Sequence, residues 1–208
     1  VAERYAPGFD GKMPLLGWSM TKAALNALVG LRVKDGKLDL ADKGLLPQWR
    51  GDSDKRRDIS LDNLLRMSSG LVFNESYDDP LADVTQMLFA EPNQATFAAS
   101  KDLAHPPGIH WHYSSGTSEI ISRVLRDSFA SQSEYLRFPR ERLFGPLGMT
   151  SAVLAPDGSY LAGPVYDREE ILVTELDPAV LLAERQRFDP AGHYHRPDVL
   201  QLTVTART

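Results

Sequence analysis

Residues 17–34 read Gly17-Trp18-Ser19-Met20-Thr21-Lys22-Ala23-Ala24-Leu25-Asn26-Ala27-Leu28-Val29-Gly30-Leu31-Arg32-Val33-Lys34. Ala24, Leu25, Leu28, Val29 and Leu31 recur at helical spacing, so the stretch predicts a helix that opens near Ser19 and stops at Asp35-Gly36. Residues three apart on a helix share a face, and here that pair is Ser19 and Lys22. A serine hydroxyl is a weak nucleophile at neutral pH and needs a base. A lysine can serve once burial or a nearby cation populates its neutral amine. The amides of the first helical turn, that of Ser19 among them, are placed to stabilise the oxyanion that forms when a carbonyl is attacked. Ser-x-x-Lys occurs once in this chain. A chain of this length contains roughly one by chance, so a second element must decide.

That element lies at Tyr113-Ser114-Ser115, after the turn Pro106-Pro107-Gly108 and before a helical pattern through Ile120, Ile121, Val124 and Leu125. A tyrosine at a loop tip can project into a cleft and relay protons between a serine, a lysine and a leaving group. The same residue type also fits a packed tyrosine whose hydroxyl caps a neighbouring backbone group.

Between these points the chain reads as helices. Ser60 is a candidate N-cap for a helix over 61–67 ended by Ser68-Ser69-Gly70, giving a helical hairpin with the first helix. Further helices are expected over 83–90 and 93–103, and from Ser133 or Glu134 to Leu143, closed by Gly145-Pro146. Residues 1–18 read as an extended segment with a turn. After Pro156-Asp157-Gly158 the texture changes to strand, helix, strand, with helix over 178–187.

Composition narrows the classes. The 208 residues are 42% hydrophobic and 25% charged, which suits a globular chain rather than a disordered or repetitive one. A formal charge of −5 with interspersed signs offers no basic stripe, so nucleic acid is not an expected partner. No apolar run approaches the length that spans a bilayer, and no basic-then-apolar leader opens the sequence; either cytoplasm or periplasm suits it. With no cysteine, disulfides, zinc-thiolate sites and thiol nucleophiles are excluded.

The motif order resembles a known family. Ser19-x-x-Lys22, then Leu64-Leu65-Arg66-Met67-Ser68-Ser69-Gly70-Leu71, Pro107-Gly108 before Tyr113-Ser114-Ser115, and Phe144-Gly145-Pro146-Leu147-Gly148-Met149 resemble class C β-lactamase-related serine hydrolases over about residues 1–158. Gly17-Trp18-Ser19-Met20-Thr21-Lys22 and Trp111-His112-Tyr113-Ser114-Ser115-Gly116 are similar to the branch of 6-aminohexanoate-dimer hydrolases and related esterases. The resemblance implies Ser19 as the acylated nucleophile, Lys22 as its general base and Tyr113 as proton relay, with a small amide or ester as substrate and no cofactor or metal. Ser115 stands where many relatives carry asparagine, which turns the expectation from β-lactams toward amides and esters. Its hydroxyl is a candidate contact for Lys22 or substrate.

The chain departs from that family in lacking a Lys-Thr-Gly or His-x-Gly motif, whose strand supplies relatives with an oxyanion donor worth about 3–4 kcal/mol. The fold expected is therefore α+β: the mainly helical lobe of the serine β-lactamase and penicillin-binding-protein fold with an incomplete sheet, and a short strand-helix-strand tail. Ala162-Gly163-Pro164, Glu170-Ile171-Leu172, Glu175-Leu176-Asp177 and Gly192-His193-Tyr194-His195-Arg196-Pro197-Asp198-Val199 resemble the C-terminal tail of a nitrilase over about residues 161–208. Nitrilases use a cysteine nucleophile, so that likeness implies contacts rather than catalysis. Two domains are expected, 1–158 and 159–208, with a junction of unrelated genes near 159–163. The competing expectation is a catalytically incompetent fragment or chimeric chain acting as an interaction module.

His105, His110, His112, His193 and His195 include two His-x-His pairs, but neither has a sequence-local carboxylate to complete a ligand set, and no metal is expected. Asp52-Ser53-Asp54-Lys55-Arg56-Arg57-Asp58 reads as a solvated loop. Asn74, Glu75, Tyr77 and Asp78 border a possible cleft without assigned roles.

Overall fold

The computed structural model describes residues 4–7, 10, 17–150 and 152. The strand-helix-strand reading, His193, His195 and the domain junction lie outside the described residues.

Trp18–Met20 form a 3-10 turn that runs into α1, Thr21–Lys34. The helix ends where the sequence predicts, with Asp35 as C-cap and Gly36 at φ 66°. Leu28, Val29 and Arg32 make its buried face. Buried Arg32 is not stranded: its Nε donates to Ser128 Oγ at 3.0 Å, a second nitrogen donates to the Ser128 carbonyl, and its guanidinium lies 4.0 Å from the Phe129 ring centroid. Arg142 donates to both carboxylate oxygens of Asp35 at 2.9 and 3.0 Å, so the C-terminal end of α1 is fastened to the later helices at two points.

α2, Leu61–Leu65, is shorter than expected. Ser60 and Asn63 form a reciprocal capping box at its start. Its end is set by Met67, which takes φ 54° while Met67 N and Ser68 N donate to the carbonyls of Leu64 and Asn63. That is a Schellman ending with methionine in the position usually given to glycine. No close hairpin with α1 forms: the connection carries two 3-10 turns, Pro47–Trp49 and Lys55–Asp58, and α2 packs on α5.

α3 is Asp83–Phe89, and α4 is Gln94–Ala99, capped by Asn93 and ending well before Leu103. Two long-range donors stop α4. Arg56 donates to the carbonyls of Ala99, Ser100 and Lys101, and fully buried Trp49 donates its indole N–H to Ala99 O at 2.9 Å. The charged stretch 52–58 is thus partly structural rather than simply a solvated loop. Leu103, freed from the helix, bridges Leu71 in antiparallel fashion, and no longer strand pairing occurs among the described residues.

α5, Ser115–Asp127, begins at the predicted residue and is the central element, with Ile120, Ile121, Val124 and Leu125 buried against α1, α2, α3 and α4. α6, Gln132–Pro139, starts one to two residues earlier than expected because Ser131 accepts from Glu134 N as its N-cap. Pro139 brings no N–H, and the chain widens into a π turn over Arg140–Phe144, closed by Gly145 N on Arg140 O at 2.8 Å. The described part is therefore mainly helical and fits the α+β class coarsely, with the sheet of the expected fold not seen among the described residues.

Candidate active site

Three local devices bring the predicted residues together. The first is the entry to α1. Trp18 has φ 41°, a left-handed conformation that is strained for a bulky L-residue, and it turns the chain so that Ser19 stands in the opening turn of the helix. Lys22 follows one turn later, and its Nζ donates to Ser19 Oγ at 3.1 Å.

The second device holds the Tyr113 loop. His112 N donates to Met67 O and Gly108 N to Ser68 O, each at 2.8 Å, while Ala104 N reaches Gly70 O at 2.8 Å. Gly70 has φ 79°, and a Cβ there would lie 2.1 Å from the His105 carbonyl oxygen, so only glycine permits this close antiparallel approach. His112 Nε2 lies 2.8 Å from Phe73 O and fixes the residue before Tyr113. Tyr113 OH then donates to Ser19 Oγ at 2.7 Å, and Lys22 Nζ lies 5.0 Å from its ring centroid.

The third device is the start of α5. Ser114 caps it by accepting from Thr117 N at 3.0 Å. Gly116 lies under the Phe73 ring, where a Cβ would come within 2.5 Å of a ring carbon. Ser115 thereby faces α1, and Lys22 Nζ donates to its Oγ at 3.4 Å.

All four predicted residues, Ser19, Lys22, Tyr113 and Ser115, thus meet around one amine. A hydroxyl held between an amine and a phenol can lose its proton to whichever is in its basic form, and the same pair can return a proton afterwards. Beside them opens a cavity of about 360 Å³, lined by Ser19, Lys22 and Ser115 together with Leu25, Leu28 and Met87. Ser118, 7% exposed, also lines it, and its Oγ has no hydrogen-bond partner.

Glu75 and Tyr77, given no role from sequence, belong to the same cluster. Glu75 Oε2 accepts from Ser115 N at 2.8 Å, and its Oε1 accepts from Ser115 Oγ at 2.5 Å and from Tyr77 OH at 3.0 Å. Burial pushes the Tyr77 phenol above the usual tyrosine range; the Ser115 hydrogen bond opposes this and the Glu75 charge adds to it. No local pattern marks Glu75, because its partner lies 40 positions away. Asn74 and Asp78 instead serve the loop itself: Asn74 Oδ1 accepts from Ser76 N at 3.0 Å and Asp78 from Ser76 Oγ at 2.6 Å. The rings of His105 and His110 lie 4.4 Å apart between centroids, tilted by 38°. Among the described residues no group of three or more histidines and carboxylates is arranged to hold a metal ion, and no helix is long and apolar enough to cross a membrane.

A family model described as Beta-lactamase matches residues 9–165. Stretches of the chain are also similar to nitrilases. It is 37% identical over 93 residues to an aliphatic nitrilase of Rhodococcus rhodochrous, covering 44% of this chain and 23% of that protein. It is 48% identical over 56 residues to a nitrilase of Pseudomonas syringae pv. syringae, 26% of this chain and 17% of that one. With nitrilase 2 of Arabidopsis thaliana the identity is 43% over 54 residues, 26% and 16% of the two chains. The chain thus spans about a quarter or less of each of these relatives.

Proposed function

The chain belongs to the β-lactamase family, and from that we propose that it is a serine hydrolase opening a small amide or ester through an acyl-enzyme on Ser19. One observation carries this reading: Lys22 Nζ and Tyr113 OH both converge on Ser19 Oγ, at 3.1 and 2.7 Å. Ser19 Oγ bonds to the carbonyl carbon as its proton passes to the Lys22 and Tyr113 pair. The tetrahedral intermediate collapses with loss of the amine or alcohol, which takes that proton from Tyr113. Water then attacks the acyl-enzyme, giving its proton to the same pair, and the acid leaves with Ser19 restored. Ser115 holds Lys22 in place. The mainly hydrocarbon walls of the adjoining cavity suit an apolar part of the substrate.

A nitrilase-like portion stands alongside the hydrolase region, and the 93 residues that match one nitrilase are more than residues 159–208 contain, so the nitrilase likeness reaches back past the 159–163 junction expected from the sequence. With no cysteine in the chain, that portion contributes contacts and not nitrile chemistry.

The test is the intact mass after incubation with a fluorophosphonate, with Ser19→Ala and a heat-denatured sample as controls. A single adduct absent from both controls is expected. No adduct on a chain shown to be folded would turn the reading to a noncatalytic module.

A further inference from the structure

Glu75 stands outside the Ser19, Lys22 and Tyr113 triangle but reaches it through one hydroxyl. Its two carboxylate oxygens take the Ser115 Oγ hydrogen at 2.5 Å and the Ser115 backbone N–H at 2.8 Å, while Tyr77 OH supports the first of them at 3.0 Å. A serine hydroxyl owns one hydrogen and two lone pairs. With that hydrogen directed to Glu75, Ser115 meets Lys22 only as an acceptor, at 3.4 Å. Lys22 Nζ donates to Ser19 Oγ at 3.1 Å in this structure, and a neutral amine that keeps one N–H on Ser115 has its lone pair free to turn to that same oxygen. Without the carboxylate, the Ser115 hydrogen can swing toward Lys22 and compete for that lone pair.

We propose that Glu75 is a positioning residue for acyl transfer: by fixing the direction of the Ser115 hydroxyl it orients Lys22 toward Ser19. The inference rests on the reading of Ser19 as nucleophile. Tyr77, held neutral by its surroundings, donates to Glu75 and keeps the carboxylate in place.

A carboxylate that merely capped α5 would alter stability alone, so the test needs a readout that capping does not move. Replacing Glu75 removes the charged acceptor that fixes the Ser115 hydrogen and leaves the Lys22 amine badly aimed at Ser19, which slows labelling of Ser19 in a chain that is still folded.

The experiment measures the rate of fluorophosphonate labelling of Ser19 in the full chain beside the urea unfolding midpoint of each variant. For Glu75→Gln the expected labelling rate falls by about 10–100-fold in the folded chain, more than any change in the midpoint accounts for; Glu75→Asp, which keeps the charge but shortens the reach, also loses rate. Circular dichroism confirms that each sample is folded. A wild-type rate in folded Glu75→Gln overturns the inference and leaves the nucleophile assignment standing, whereas no labelling of folded wild type removes both. Should Glu75→Gln fail to fold, Glu75→Asp decides: an unchanged rate overturns the proposal.

Discussion

Tyr113 OH lies 2.7 Å from Ser19 Oγ although 94 positions separate the two residues. Chance packing of a tyrosine at a loop tip has no reason to select the one serine that also receives a lysine amine from its own helix. The relay reading and the packed-tyrosine reading now part on a measurement. Tyr113→Phe keeps the ring and removes only the oxygen, so hydrolysis of a p-nitrophenyl ester should fall by about 10²–10⁴-fold with the circular dichroism unchanged. Activity within twofold of wild type would return Tyr113 to a packing role.

Ser118 offers a test of the cavity. Its hydroxyl is buried and unpartnered, so Ser118→Ala orphans nothing and should leave thermal stability unchanged or raise it by up to about 1–3 kcal/mol. Differential scanning calorimetry decides; a loss of more than about 1 kcal/mol would mean that the hydroxyl is hydrogen-bonded within the folded chain.

Two helical glycines should respond in opposite directions. A Cβ at Gly30 in α1 meets nothing within 4 Å, so Gly30→Ala should stabilise by about 0.8–1 kcal/mol through helix propensity alone. At Gly116 the same gain is outweighed, because the new Cβ would lie 2.5 Å from the buried Phe73 ring. Gly116→Ala should therefore destabilise by about 1–3 kcal/mol in urea unfolding and displace the start of α5. Equal effects at the two sites would contradict this packing.

The Tyr77 phenol supplies a pH prediction. Burial raises its ionisation above the usual tyrosine range, so the folded state favours the neutral form. Its contribution to stability is complete below the unfolded value of about 10 and is lost as pH rises through the folded value. Phenolate absorbance at 295 nm should show, by difference between wild type and Tyr77→Phe, one tyrosine ionising above pH 10. A difference component below that value would refute the placement.

Local structure was legible wherever its cause is local. The period of Leu25, Leu28 and Val29, the Ser60 cap and the glycine stop at Gly36 fix α1 and the start of α2 within a few neighbouring residues. Ser19 and Lys22 belong to the same class, since one turn of helix brings them together whatever else the chain does. Helix ends set from a distance were misjudged: α4 stops at Ala99 because Arg56 and Trp49, more than forty positions earlier, take its last carbonyls.

The sequence by itself determined the helix that brings Ser19 and Lys22 together, the order of the motifs and the presence of residue types suited to acyl transfer, because helical periodicity and capping act over three or four residues. Only the tertiary structure decided that Tyr113 and Ser115 close on that helix and that Glu75 stands behind Ser115. Those contacts depend on the chain reversal at Met67 and Gly70 and on the packing of Phe73 over Gly116. Directional hydrogen bonds at 2.5–3.4 Å need atoms placed by many distant contacts at once, and no short window of sequence encodes that sum.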